Sequence, residues 1–157
     1  MKAASISDIK TDLKTKSVTQ LTELCLRLGR FKKENKELLT YLLFEAHDEQ
    51  GYIDNVKKEI DENFKEVPGN NLYQAKKSLR KILKALSKYA KHIGSKQGEV
   101  EMLIHFCSTL KNSGIPIHRT ASLTNLYNQQ IKKINSLIQL LHEDLHYDYK
   151  KQVEQIS

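Results

Sequence analysis

His142-Glu143-Asp144-Leu145-His146 is the one stretch of this sequence whose residue types and spacing spell out a reaction. Residues i and i+4 share a helix face, so two imidazoles at that spacing can hold one zinc ion while the Glu between them activates the metal-bound water for peptide hydrolysis. The surroundings oppose that reading. Asp144 adds a charge where such helices carry uncharged residues, and the eleven residues that follow contain no histidine to serve as a third ligand. Glu154 lies eight residues beyond His146, too near to act as a ligand from a separate helix. On a helical wheel both imidazoles flank the apolar stripe instead of entering a pocket. The expectation is a pair of surface histidines at the edge of a core, with no catalytic residue assigned.

A weaker variant draws on an earlier histidine. His47 or His105, on other helices, would complete a three-histidine site with His142 and His146 inside a bundle. An early His followed by a later H-x-x-x-H resembles the layout of DinB-like four-helix bundles, which implies a metal held by those imidazoles. The helix count and the tail position of His146 depart from that pattern, so the chain is not assigned to that family, and no metal or cofactor is expected. Other reactive motifs are missing: there is no G-x-S-x-G, no phosphate-binding loop and no G-x-G-x-x-G. Glu45 and His47 do not make the Glu-x-x-His of di-iron bundles. Cys25 and Cys107 fall on apolar faces, where a thiol is a small hydrophobe and not a nucleophile.

Charge gives a second clue. The chain carries 26 Lys and Arg against 19 Asp and Glu, a net charge of +7. Eight basic residues and no acidic one lie between Val67 and Gly98. At about 100° per residue, Lys77, Lys81, Lys84, Lys88 and Lys91 gather opposite the apolar stripe of one helix, with Arg80 beside them. Such a ridge suits an anionic partner: nucleic-acid phosphate, an acidic protein surface or anionic lipid. Against this stands the ordinary use of Lys as a soluble helix former on a solvated face. The ridge has no aromatic platform for stacking bases and only one Arg to read a base edge, so it would track a backbone without reading sequence.

The elements that position these residues are helical. Ile6, Ile9 and Leu13 suggest a short first helix. Ser17 with Gln20 forms a possible capping box for a second, striped by Val18, Leu21, Leu24, Cys25 and Leu28 and ended or kinked at Gly29. The third, over about 31–46, is apolar on nearly every side through Leu38, Leu39, Tyr41, Leu42, Leu43 and Phe44, which predicts the buried central helix. Ile53, Val56, Ile60 and Phe64 stripe a fourth. Pro68-Gly69-Asn70 breaks the chain before the basic helix, Asn71 to Ile93, which Gly94 closes. A sixth centres on Leu103, Phe106, Cys107 and Leu110. The last begins near Ser122 and runs through Ile134 and Leu145 close to a frayed C-terminus.

No stretch alternates with the period of a strand. The 157 residues are therefore read as one all-α domain of about seven helices, an antiparallel bundle or a short stack of helical hairpins. The longest dense apolar run, Leu38 to Phe44, is far short of the roughly 20 residues a spanning helix needs, so no membrane insertion is expected. The first eight residues lack the apolar core of a secretory signal, and two core thiols suit a reducing compartment, so a cytoplasmic protein is expected. By elimination the function expected is a non-catalytic module that binds another protein. The alternatives are an accessory nucleic-acid or polyanion binder using the basic helix, and a metal-dependent enzyme using His142 and His146.

Overall fold

A computed structural model describes residues 1–157, and every regular element in it is helical. The helices are α1 (Ile6–Leu13), α2 (Val18–Phe31), α3 (Lys33–Thr40), α4 (Glu49–Lys65), α5 (Leu72–Ile93), α6 (Lys96–Asn112), α7 (Ala121–Gln139) and α8 (Glu143–Ile156). A π-helical turn, Tyr41–Glu45, continues α3, and a 3-10 turn, Ile117–Arg119, precedes α7. Side-chain caps start most of them. Ser17 and Gln20 do form a reciprocal capping box on α2, and Ser5 with Asp8 forms another on α1. Asn71 caps α5, whose far end closes on Gly94 at φ 67°, a left-handed conformation that a residue with a Cβ adopts at a cost.

The chain divides into two compact units, Met1–Phe44 and Glu45–Ser157. In the second, α6 is the central helix. It packs on α4 and α5 and on α7 and α8, and eight of its residues are buried. Cross-helix pairs give the directions. Lys57 meets Glu101 and Asp61 meets His105, so α4 and α6 run parallel. Tyr52 lies by His92 and Glu59 accepts from Tyr89, so α5 runs against α4. Gln97 and Glu101 reach Tyr149 while Lys111 reaches Gln155, so α8 again runs with α6. The result is an up-and-down array of five helices, in which Leu79, Leu86, Leu103, Phe106, Leu110, Ile134 and Ile138 are almost fully enclosed.

The first unit is different in kind. α2 and α3 pack on each other across the single extended residue Lys32, and the Asn35 amide donates to the Leu28 carbonyl oxygen at 2.7 Å. Gly29 does not end the helix. It lies within α2, where an added Cβ would sit 2.9 Å from Leu39 Cδ1, so its smallness permits the close approach of α3. None of α1, α2 and α3 has a buried residue.

Three expectations are corrected here. The third helix is not the buried centre: Leu42, Leu43 and Phe44 are 55%, 69% and 68% exposed, and α6 takes that place. Apolar residues all round a helix provide the means of burial, but only neighbouring elements enclose them. The long last helix is two helices, because the chain leaves helical geometry at His142, whose imidazole caps the Asp144 N–H and starts α8. Its end is not frayed: Val153 and Ile156 are buried, and the Tyr127 hydroxyl donates to the Ile156 carbonyl oxygen.

Candidate functional site

The histidines separate. His142 lies before the first turn of α8 at φ −57°, ψ 142°, so it does not share a helix face with His146. Its Nδ1 accepts the Asp144 N–H at 3.2 Å. His146 Nε2 points back to the Leu141 carbonyl oxygen, 2.8 Å away, and so carries its proton there. His47 is exposed near the start of α4. His105, on α6, has Nε2 2.7 Å from Asp61 Oδ1. No three His, Cys, Asp or Glu side chains are grouped to hold a metal ion. The H-E-x-x-H letters describe a capped helix start: His142 as the cap, with Glu143 and Asp144 in the first turn, where the helix dipole favours acids.

His105 belongs to a polar seam that the sequence reading missed. Two i,i+4 ladders face each other, Lys57 with Asp61 on α4 and Glu101 with His105 on α6. Glu101 takes the Lys57 ammonium at 3.4 Å and the Tyr149 hydroxyl at 3.3 Å, and Tyr149 also accepts from Gln97 at 3.0 Å. Asp61 takes His105 and, at 3.4 Å, the Thr109 hydroxyl. Burial raises the Tyr149 phenol above its ordinary value, which keeps it a neutral donor to Glu101. A groove of about 460 Å³ runs over this seam, also lined by Ser108 and Asp148. Within the seam, Glu101 and Asp61 are each occupied by a partner, and the pairs tie α6 to α4 and α8. The signal was in the sequence, as polar residues at 57, 61, 101 and 105 beside two apolar stripes, but periodicity does not say which ladder meets which.

The cations of α5 differ in exposure. Lys77, Arg80, Lys81, Lys84 and Lys91 are exposed and make no ion pair. Lys88 is half-buried, its ammonium 5.6 Å from the centre of the Tyr89 ring. Lys76, off the ridge, bonds to Ser122 of α7. The ridge is less isolated than its own segment implies: residues 45–66 hold eight acids and three bases, so α5 sits in a unit whose other helices offset it. Residues 1–44 are themselves basic, with nine Lys and Arg against five Asp and Glu.

The thiols part company too. Both are free, and Cys107 is enclosed in α6, where burial pushes its thiol up to about 12. Cys25 is exposed, contrary to its predicted place in a core. It shares that exposure with its surroundings. Thirteen of the sixteen large hydrophobic side chains that lie open to solvent belong to residues 1–44, among them Ile6, Val18, Leu28, Phe31, Leu43 and Phe44. Of the twenty-six buried hydrophobic residues, all but Tyr41 belong to residues 45–157. Single exposed apolar residues are ordinary, whereas a concentration of them on three successive helices is a feature to explain.

No protein-family model, no curated protein and no solved structure matches the chain.

Proposed function

We propose that the protein is a non-catalytic helical module that binds another protein, and that residues 1–44 carry the binding surface. The observation behind this is the concentration of exposed apolar side chains on α1, α2, α3 and the π-turn. Helices of 8, 14 and 8 residues are marginal on local propensity alone, and these three bury nothing of their own. Folds near 40 residues draw stability from disulfides, metals or association. This unit has one cysteine and no metal-ligand cluster, which leaves association. The magnitudes set a condition on the interface. Burying one Leu or Phe fully contributes about 1.5–3 kcal/mol, and association costs about 4–15 kcal/mol. A partner must therefore cover most of a stripe, not one or two residues.

A second reading concerns the ridge. Its five exposed, unpaired cations favour a polyanion lying along α5, held by charge and released by salt.

One experiment tests both. A photo-crosslinking amino acid is placed singly at Leu28 or Phe31, and in other variants at Lys81 or Lys84, in the full-length protein in cells. Discrete protein adducts from positions 28 and 31, but not from 81 and 84, are the expected result. Nucleic-acid adducts from positions 81 and 84 alone would replace the first reading with the second. Silence at positions 28 and 31 would remove the proposal.

A further inference from the structure

Resting on the reading of residues 1–44 as an interaction surface, we infer the chemistry of the partner: an amphipathic helix with acidic residues flanking its apolar stripe, docked along α2. The basis is the arrangement of residues around that helix. Leu21, Leu24, Leu28 and Phe31 recur at spacings of three, four and three, the a/d pattern of a helix-to-helix seam. A seam of this kind is normally closed by a second helix. Here Leu24, Leu28 and Phe31 are 42%, 60% and 75% exposed, and α3 packs at Gly29, toward the other edge of the stripe.

Beside the open edge lies a groove of about 510 Å³ lined by Lys16, Thr19, Gln20, Glu23, Leu24, Arg27 and Arg30. On the wheel these residues centre about a quarter-turn from the Leu24–Leu28–Phe31 edge, with Leu24 on the boundary. A helix seated on the seam places its own flanking positions over this groove. The charges there are three cations and one acid. Lys16 is paired with Asp12 at 3.2 Å, whereas Arg27 and Arg30 make no ion pair.

Flanking charges select the partner of a seam, because opposite charges there add attraction and like charges add repulsion. A second copy of this chain would bring like charge against Arg27, because its first 44 residues carry the same excess of four positive charges. An acidic helix meets Arg27 and Arg30 with complementary charge, and Arg adds the planar fork that binds carboxylate through two N–H donors.

The probe is a labelled synthetic helix of about three heptads with Leu at every a and d position and Glu at every e and g position. Its twin carries Lys at e and g. Binding to the full-length protein is followed by fluorescence anisotropy. The expected result is binding of the Glu peptide only, weakened about tenfold or more by R27E combined with R30E and by raised salt. The same double variant should gain binding to the Lys peptide, a reversal that misfolding would not produce. Equal binding of both peptides would overturn the acidic assignment while leaving the apolar surface in place. If neither peptide binds while positions 28 and 31 still crosslink to protein in cells, this inference is wrong and the interaction reading survives; if both fail, both are wrong. Two other outcomes also overturn it. One is a dimer of the chain in sedimentation that Leu28→Asp dissolves. The other is binding to vesicles of phosphatidylglycerol and phosphatidylcholine in place of the peptide.

Discussion

The apolar run Leu38–Phe44, at the end of α3 and in the π-turn, and the apolar residues of α6 meet opposite environments. Around α6, four helices converge, and Val100, Met102, Leu103, Phe106 and Cys107 lose essentially all contact with water. The stretch from α3 through the π-turn leaves Leu42, Leu43 and Phe44 open. The same contrast separates α5 from α2. The stripe of α5 is enclosed at Leu79, Ile82 and Leu86, and its cations face out; the stripe of α2 is as regular and stays exposed beside its cations. Amphipathic pattern thus states that a helix has a face to bury. It does not state whether the covering element lies in the same chain. In residues 45–157 it does, and in residues 1–44 the apolar faces of α1, α2 and the π-turn stay largely open.

The largest effect that follows from this comparison is on stability. Truncating Phe106 to Ala leaves a cavity at the centre of five helices and should cost about 3–5 kcal/mol in urea unfolding of the full chain. Truncating Phe31 to Ala removes a side chain of comparable size from an exposed site and should change stability by no more than about 0.5 kcal/mol. Comparable losses at the two sites would mean that residues 1–44 hide their apolar surface after all.

A smaller effect sharpens the same contrast with one atom in each unit. In native protein at mildly alkaline pH, iodoacetamide should modify Cys25 and spare Cys107. The Cys107 thiol is enclosed, and its raised proton affinity leaves almost no thiolate to react. Mass spectrometry should find one adduct per chain before denaturation and two after it. Native labelling of Cys107 would show that α6 opens readily.

Much of the fold was legible in advance for identifiable reasons. The all-α class followed from 3.6-residue periodicity and the absence of alternation. The start of α2 followed from Ser17 and Gln20, and the end of α5 from Gly94. The break before α8 was hidden because it contains no Gly or Pro: Leu140 and Leu141 continue the apolar pattern, although α7 ends at Gln139 and His142 is non-helical. The wheel placed both histidines on one helix face, whereas His142 precedes the helix that carries His146. The Asp61–His105 and Lys57–Glu101 pairs join residues 44 positions apart, a distance over which local pattern carries no information. The exposure of Cys25 was hidden for the reason that governs the whole first unit: a stripe of apolar residues looks the same whether or not another element covers it.

Hydrogen exchange of the purified full-length protein tests the division into an enclosed core and an uncovered surface most directly. Amides of α6 should open only with global unfolding, while those of α2 and α3, lacking buried side chains, should exchange about a hundredfold faster or more. Exchange of α2 and α3 at the same rate as α6 would contradict the account, because it would show residues 1–44 already held as firmly as the core they were taken to lack.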